Sequence, residues 1–356
     1  MNGALHIRGH LLPDDEVVDL WIADGVLQRE SVTGADTVAA EGWIIPGLVD
    51  AHCHIGLSAE GAVSPEAIRA QAEADLAAGT MLIRDAGSPS DTRWVQSDDA
   101  LPRLVRAGRH VARPKRYLRN LGVEVEPEDL VTQVRHEARS GDGWVKLVGD
   151  WIDRTVGDLA PLWPADVAAQ AIAVAHEEGA RVTAHCFGEQ AVTELVGAGI
   201  DCIEHGTGMS DDVIAQMVAR GTALVPTMIN LARFPQYAEP ARDKFPSYYT
   251  HMTHLYERRK DTIGKAVEAG VAVYSGTDAG TVVPHGSIRE EIEELAAIGG
   301  AEFALGAASW RARPWLGADV LTPGASADLI VLDADPRTDL STLYRPVARV
   351  LRGQVL

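Results

Sequence analysis

Short apolar segments alternate with amphipathic segments along most of this chain, and this alternation restricts the fold more than any other feature. Apolar segments at intervals of about thirty residues are typical of repeated β-α units. Between them, stretches such as 164–180 and 210–221 carry apolar residues at helical spacing and end near a glycine. The predicted strands are 44–54, 80–87, 108–118, 144–150, 181–188, 200–206, 222–229 and 271–280. The pattern therefore predicts an α/β protein with a (β/α)8 TIM-like barrel.

The two ends of the chain have a different pattern. Residues 1–43 and 319–356 carry short β-like runs separated by turn signals. We expect these segments to fold together as a small β-sandwich layer, because chain termini often lie close in space. The barrel would then occupy residues 44–318, which fits the size of about 250 residues that such barrels need.

The charge balance limits the partners of this protein. The chain has 356 residues and a formal net charge of −19, whereas nucleic acids and anionic membranes bind clustered positive charge. We expect neither export nor a membrane span, because the first eighteen residues show no positively charged start followed by an apolar core and no run of about eighteen apolar residues occurs. The cysteines, Cys53, Cys186 and Cys202, do not suggest a disulfide framework. We expect a cytoplasmic protein that binds a small-molecule substrate, and the sequence is compatible with a homo-oligomer.

Two histidines separated by one residue end the first predicted strand. Alternate side chains of a barrel strand point inward, so His52 and His54 face the interior while Cys53 faces the surrounding helices. Cys53 is therefore interpreted as a packing residue rather than a ligand of the same metal. The pair precedes a loop at the C-terminal mouth of the barrel, where (β/α)8 barrel enzymes hold their catalytic groups. This position favours a metal site over two histidines that merely line a pocket.

Three further strand ends carry residues that commonly bind metals. His185, His205 and Asp278 are each followed by a glycine-bearing loop. Either of these histidines alone could be a core residue, but four histidines and an aspartate at strand ends together indicate a metal centre. Other histidines lack this context and are interpreted as surface or packing residues, namely His6, His10, His110 and His176.

Lys146 lies between apolar neighbours in the fourth predicted strand. A protonated amine buried there would be costly without a partner. An ion pair with a nearby acid would relieve this cost. Carbamylation by carbon dioxide would also relieve it, and would give a carboxylate able to bridge two cations. The spacing of the residues leaves both alternatives open.

Several segments resemble the amidohydrolase superfamily, and within it the branch of imidazolonepropionase-like proteins, metal-dependent prolidases and related dipeptidases. The match runs nearly from end to end. The segments are IIPGLVDAHCHIGL (44–57), AGTMLIRDAG (78–87), WVKLVGD (144–150), TAHCFGEQAVTELVGAGIDCIEHG (183–206), SGTDAG (275–280) with HGSIREEIEEL (285–295), and TPGASADLIVLDADP (322–336).

The resemblance implies a hydrolase of carbon–nitrogen bonds with two divalent metal ions, for which zinc is the expected metal. The implied ligands are His52, His54 and Asp278 for one ion, His185 and His205 for the other, and a carbamylated Lys146 with a hydroxide as bridges. The metals would lower the pKa of the shared water and polarise the scissile carbonyl. Asp278 would take the proton from the attacking hydroxide and deliver it to the departing nitrogen.

The substrate implied by the resemblance is a small peptide-like or N-acyl amino acid compound. Two segments that would border the mouth, 113–130 and 231–260, depart from the family pattern, the first being short and the second long, aromatic and charged. A substrate carboxylate would need a cation or a hydroxyl there. The candidates for this role are Arg233, Tyr237, Arg258 and His285.

Two other functions remain open at this level. A mononuclear hydrolase or deaminase of a cyclic amide or imidazolone-type substrate would use His52, His54, one further histidine and Asp278, and would leave Lys146 unmodified. A barrel that holds its metal without catalysis is the third possibility. The presence of Asp278 argues against it, because inactive relatives usually lose a ligand or the acid–base group.

Overall fold

A ring of parallel strands surrounded by helices forms most of the molecule, in a computed structural model that describes residues 3–356. A second sheet is built from the two ends of the chain. The strands are β1 (Leu5–Leu11), β2 (Glu16–Ala23), β3 (Val26–Gln28), β4 (Asp36–Ala39), β5 (Trp43–Pro46), β6 (Leu48–Cys53), β7 (Leu57–Ser58), β8 (Gly61–Ala62), β9 (Thr80–Asp85), β10 (Arg103–Arg106), β11 (Val111–Ala112), β12 (Val123–Glu124), β13 (Trp144–Val148), β14 (Asp150–Asp153), β15 (Asp158–Pro161), β16 (Arg181–Cys186), β17 (Cys202–His205), β18 (Ala223–Val225), β19 (Leu329–Leu332), β20 (Ala348–Leu351) and β21 (Gln354–Val355).

The barrel strands follow one another in chain order. β6, β9 and β10 are parallel neighbours, and β11, β13, β16, β17 and β18 form a second parallel run. The third barrel strand consists of β10 and β11, so it begins at residue 103 rather than at the predicted residue 108. The prediction was displaced there because polar residues interrupt this strand and weaken its apolar signal.

The eighth position of the barrel is taken by residues 272–279, which lie between β18 and β6. The backbone N–H of Leu224 donates to the carbonyl of Ala272, and that of Ala51 donates to the carbonyl of Ser275 at 2.8 Å. The N–H of Asp278 in turn donates to the carbonyl of His52 at 2.7 Å. These bonds join the last barrel segment to the first strand, and the predicted (β/α)8 barrel is confirmed.

The helices surround the barrel. They are α1 (Pro65–Ala77), α2 (Leu130–Ser140), α3 (Ala165–Glu177), α4 (Glu189–Gly197), α5 (Asp211–Arg220), α6 (Met228–Leu231), α7 (Phe234–Ala238), α8 (Pro246–Ala269), α9 (Ile288–Gly299), α10 (Ala301–Ala308) and α11 (Ala312–Trp315). Their ends follow local rules: the Ser210 side chain accepts from the N–H of Val213 to begin α5, and Gly221 ends it in a left-handed conformation. After β9 a short 3-10 helix, Arg93–Ser97, replaces the usual α-helix.

The terminal segments form a sheet with the strand order β21-β20-β19-β5-β1-β2-β3, and β4 pairs with β1. The predicted first strand, 44–54, is divided between this sheet and the barrel, because β5 pairs with β19 whereas β6 pairs with β9. Residues 1 and 2 of the predicted terminal layer lie outside the described residues. The division into a small β domain and a barrel domain at residues 43 and 319 stays a prediction.

The three cysteines are buried and free, so none of them forms a disulfide within residues 3–356. Cys53 packs in an apolar cluster with residues such as Ile83 and Leu104, as expected from its outward orientation on β6. In the described part of the chain, no helix has both the length and the apolar character that crossing a membrane requires.

Candidate metal centre

Three side chains meet at the C-terminal end of β6. Nε2 of His52 lies 3.2 Å from Nε2 of His54, and Oδ1 of Asp278 lies 3.1 Å from the first and 3.0 Å from the second. A metal ion bound to nitrogen and oxygen at about 2.0–2.2 Å holds its ligand atoms roughly this far apart. These three predicted ligands are therefore brought together with the spacing of a coordination site.

Unusual backbone conformations orient two of the predicted ligands. His205 has a φ of +69° and Asp278 a φ of +59°, both in the left-handed region that non-glycine residues seldom adopt. In an extended strand, consecutive side chains point to opposite faces. At the end of β17 the left-handed turn lets Glu204 and His205 both project into the barrel. Strain of this kind is concentrated at functional sites.

A second group of predicted ligands lies beside the first. The rings of His185 and His205 are 4.7 Å apart between centroids, and His205 is 5.3 Å from His52. Nδ1 of His205 is hydrogen-bonded to Oγ1 of Thr227 at 2.7 Å, and Nδ1 of His54 donates to the carbonyl of Gly87 at 2.9 Å. Each bond leaves Nε2 of its histidine for a metal ion, as expected of ligands held by outer hydrogen bonds.

Lys146 is buried next to an acidic residue that the sequence did not single out. Its Nζ contacts Oε2 of Glu204, so the ion pair considered for Lys146 is present. Glu204 also accepts 3.0 and 2.8 Å hydrogen bonds from Arg84 and Thr183. Burial lowers the pKa of Lys146 to about 7, which favours the neutral amine.

Two ring nitrogens in this cluster have no hydrogen-bond partner. Nδ1 of His52 and Nε2 of His185 are buried and lack one among the described residues. Burial lowers the pKa of His52 well below its usual value and that of His185 to about 3, so both rings are neutral. Neutral imidazoles and carboxylates are the ligands that divalent transition metals prefer. This donor set fits a divalent transition metal.

Asp278 is also held by an amide. Nδ2 of Asn230 donates to Oδ2 of Asp278 at 2.6 Å, and the hydroxyl of Tyr237 donates to Oδ1 of Asn230 at 2.5 Å. Burial alone would raise the pKa of Asp278, but His52 and His54 hold it well below its usual range. Asp278 is therefore an ionised carboxylate with one oxygen toward the histidines and the other toward Asn230.

A cavity of about 400 Å³ opens above these residues. His54, His185 and Asp278 form part of its wall, so the candidate metal centre lies at its inner end. Both segments that depart from the family pattern contribute to it, through residues such as Tyr117 and Tyr237. Their predicted position at the mouth agrees with this structure.

The candidate substrate-binding residues are placed differently from one another. Tyr237 lines the cavity, whereas Arg233, Arg258 and His285 do not. Nη2 of Arg258 donates to Glu189 at 2.7 Å. Nδ1 of His285 lies 2.9 Å from a carboxylate oxygen of Asp75, behind β6. The structure brings Tyr237 to the site and leaves the other three outside its wall.

Sequence reasoning missed three groups at this site. His110, interpreted as a surface or packing residue, is fully buried in the cavity wall and stacks on His54 with ring centroids 4.9 Å apart. Both of its ring nitrogens lack a hydrogen-bond partner among residues 3–356. Glu204 and Asn230 are the other two. The Glu-His pair at 204–205 was a usable signal, but a regular strand would have turned Glu204 away.

Comparison with known proteins agrees with this architecture. A model of the amidohydrolase family matches residues 43–355. An uncharacterized protein of Mycobacterium tuberculosis is 54% identical over 352 residues, covering 98% of this chain and 95% of that protein. The structure of a Xaa-Pro dipeptidase with methionine bound in its active site has a TM-score of 0.82 at 21% identity, covering 99% of this chain and 100% of that chain. The structure of a putative prolidase from Bifidobacterium longum has a TM-score of 0.82 at 22% identity, covering 99% of this chain and 94% of that chain.

The two solved structures support the fold alone, because their identities are low. The family match extends over most of the chain, and the chain belongs to the amidohydrolase family. The predicted superfamily and the predicted enzyme class, a hydrolase acting on carbon–nitrogen bonds, are confirmed.

Proposed function

We propose that this enzyme hydrolyses an amide bond of a small substrate at a two-metal centre. The observation that carries the proposal is the triangle of His52, His54 and Asp278, whose ligand atoms lie 3.0–3.2 Å apart at the inner end of a cavity. His185, His205 and Lys146 supply the second set of donors beside it. Bound there, two divalent ions would lower the pKa of a water and polarise the scissile carbonyl.

Asp278 is the proton carrier in this proposal. Its carboxylate is ionised, and Asn230 holds one of its oxygens at 2.6 Å. It can therefore accept a proton from the attacking water and donate that proton to the leaving nitrogen. His110 borders the same space and has no hydrogen-bond partner among the described residues, so its ring is available to a polar atom of the substrate.

Carbamylation of Lys146 is compatible with the charges around it. Burial leaves part of Lys146 as the neutral amine that reacts with carbon dioxide. Glu204 is also paired with Arg84 at 3.0 Å, so it would keep a cationic partner if the ammonium charge of Lys146 were lost. A carbamate on Lys146 would then provide the bridging carboxylate.

The ion pair between Lys146 and Glu204 favours a second candidate function. If Lys146 stays an ammonium group, it cannot bind a metal, and the triangle around Asp278 would hold a single ion. Such a centre fits a mononuclear hydrolase or deaminase of a cyclic amide or imidazolone-type substrate.

Metal analysis after reconstitution with bicarbonate separates these candidates. We expect two equivalents of metal in the wild type, fewer in Lys146→Ala, and lower turnover in that variant. With ¹³C-labelled bicarbonate, a carbamate carbon signal should be present in the wild type and absent in Lys146→Ala. Lys265→Ala, which removes a half-exposed lysine, is the control. One equivalent of metal in the wild type, together with an unaffected Lys146→Ala, would refute the two-metal proposal and support the mononuclear centre.

A further inference from the structure

The wall of the cavity is largely aromatic beyond the candidate metal centre. Five aromatic rings line it, from Tyr117, Trp151, Phe187, Tyr237 and Tyr248. Such rings contact flat apolar groups well and gain further from offset or edge-to-face packing against another ring. The shape and chemistry of this wall therefore suit an aromatic or bulky apolar group.

The same wall has no cationic side chain. Among residues 3–356, those that line the cavity include no lysine and no arginine. Arg233 and Arg258, which were predicted to bind a substrate carboxylate, lie outside the wall. Arg258 is already paired with Glu189 at 2.7 Å. The hydroxyl of Tyr237 already donates to Asn230.

A free carboxylate would therefore be poorly bound in this part of the cavity. Removing an ionised group from water without a paired charge is strongly unfavourable. The net charge of −19 adds repulsion. A carboxylate carried by the group that contacts this wall would meet no lysine or arginine there.

From these observations we infer that the substrate is an uncharged amide carrying an aromatic or bulky apolar group, and that compounds with a free carboxylate are discriminated against. This inference rests on the proposed amide hydrolysis and narrows its substrate. Water adds to the carbonyl carbon, the carbon–nitrogen bond breaks, and the products are a carboxylic acid and an amine that leaves with a proton. The inference places the apolar group of the substrate against the aromatic wall.

A matched pair of anilides tests this inference. 4-Methylacetanilide and 4-acetamidobenzoate differ only in a methyl group against a carboxylate on the ring. We expect kcat/KM to be at least about tenfold higher for the methyl compound, a modest value for an unpaired charge in an apolar site. Equal or higher kcat/KM for the carboxylate compound would overturn the inference and leave the proposed amide hydrolysis intact.

A cation introduced into the wall gives a second measurement. Val282 lines the cavity and is 46% exposed, so Val282→Arg places a charge at the mouth without filling the core. This variant should reduce the preference for the methyl compound by about tenfold. Val156→Arg is the control, because Val156 is 67% exposed and lies outside the wall. An unchanged preference in Val282→Arg would contradict the role given to the missing cation.

Calorimetry measures binding without turnover. It uses the full chain after removal of metals, so that a carboxylate cannot bind to a metal ion directly. The methyl compound should bind at least about tenfold more tightly than the carboxylate compound, and the reverse order would refute the inference. If the methyl compound binds preferentially but no amide in a broad panel is hydrolysed by the metal-loaded enzyme, the proposed function fails while the specificity of the cavity stands.

Discussion

Nδ2 of Asn230 donates a 2.6 Å hydrogen bond to Oδ2 of Asp278, the oxygen that faces away from the histidines. Asn230 lies on α6, the helix that begins directly after the left-handed Thr227. Its side chain is buried, with only 6% of the residue exposed. The carboxylate is thereby fixed between the candidate metal centre and an amide. Asn230 is a positioning residue in this arrangement, because it acts on the substrate through Asp278.

Replacing Asn230 with leucine should lower kcat by about tenfold to a hundredfold, the range typical of lost outer hydrogen bonds at metal sites. The effect on KM should be smaller, because Asn230 is one of many residues that line the cavity and the others are unchanged. Steady-state kinetics and metal analysis of the same samples check this. Gln236→Leu is the control, since Gln236 lines the cavity without bonding to Asp278. An unchanged kcat in Asn230→Leu would argue against the positioning role.

Removing Arg84 should destabilise the barrel. Arg84 and Glu204 are both fully buried and 3.0 Å apart, so Arg84→Leu leaves Glu204 without its guanidinium partner. Breaking a buried pair in this way costs about 3–5 kcal/mol of unfolding free energy, which denaturant unfolding would measure. Arg93→Leu is the control, because the Arg93–Asp91 pair is exposed. The midpoint of denaturant unfolding of this variant should equal that of the wild type. An unaltered midpoint in Arg84→Leu would contradict this account.

Gly276 supports the metal centre by its lack of a side chain. A Cβ there would lie 2.7 Å from the Cβ and backbone nitrogen of His52 and 2.5 Å from Val225. Gly276→Ala should displace His52 and weaken metal binding by about tenfold or more, as judged by competition with a chelator. Gly264→Ala is the control. Its Cβ would meet nothing nearer than 3.8 Å in the middle of α8, so it should leave metal affinity unchanged and stabilise the helix by about 1 kcal/mol.

His251 makes stability depend on pH. Hydrogen bonds to Glu189 and Asp158 raise its pKa from 6.5 to about 9 in the folded protein. The folded state therefore favours the protonated ring, and this stabilisation is complete below the unfolded pKa of about 6.5 and is lost as pH rises through about 9. We expect the loss to amount to about 1–2 kcal/mol, because the pair is partly exposed.

Unfolding of the wild type and His251→Gln across this pH range measures the effect. The difference in unfolding free energy between them should shrink between pH 6.5 and about 9.5. His254→Gln, which removes an exposed histidine of the same helix, is the control. A constant difference for His251→Gln would show that its bonds do not depend on protonation.

Much of the barrel was predictable because the relevant forces act locally. The alternation of apolar strands with amphipathic helices arises because each helix buries only one of its faces. Seven of the eight predicted strand regions correspond to barrel strands or to the closing segment, with shifts of a few residues at their ends. The predicted start of the third strand was wrong, because β10 and β11 are stabilised by pairing with β9 and β13 rather than by their own apolar pattern. Pairing of this kind depends on residues far away in the sequence.

The sequence by itself determined which residue types end the barrel strands, and the family resemblance grouped His52, His54 and Asp278 as ligands of one ion. Alternation along a strand is a local rule, and it sufficed to predict that His52 and His54 face the same side. Only the tertiary structure decided the rest of the site: the left-handed turn that sends both Glu204 and His205 inward, the entry of His110 into the cavity wall, and the absence of arginine from the part of that wall that the structure describes. Those features depend on where loops from distant segments pack, and no local pattern records that packing.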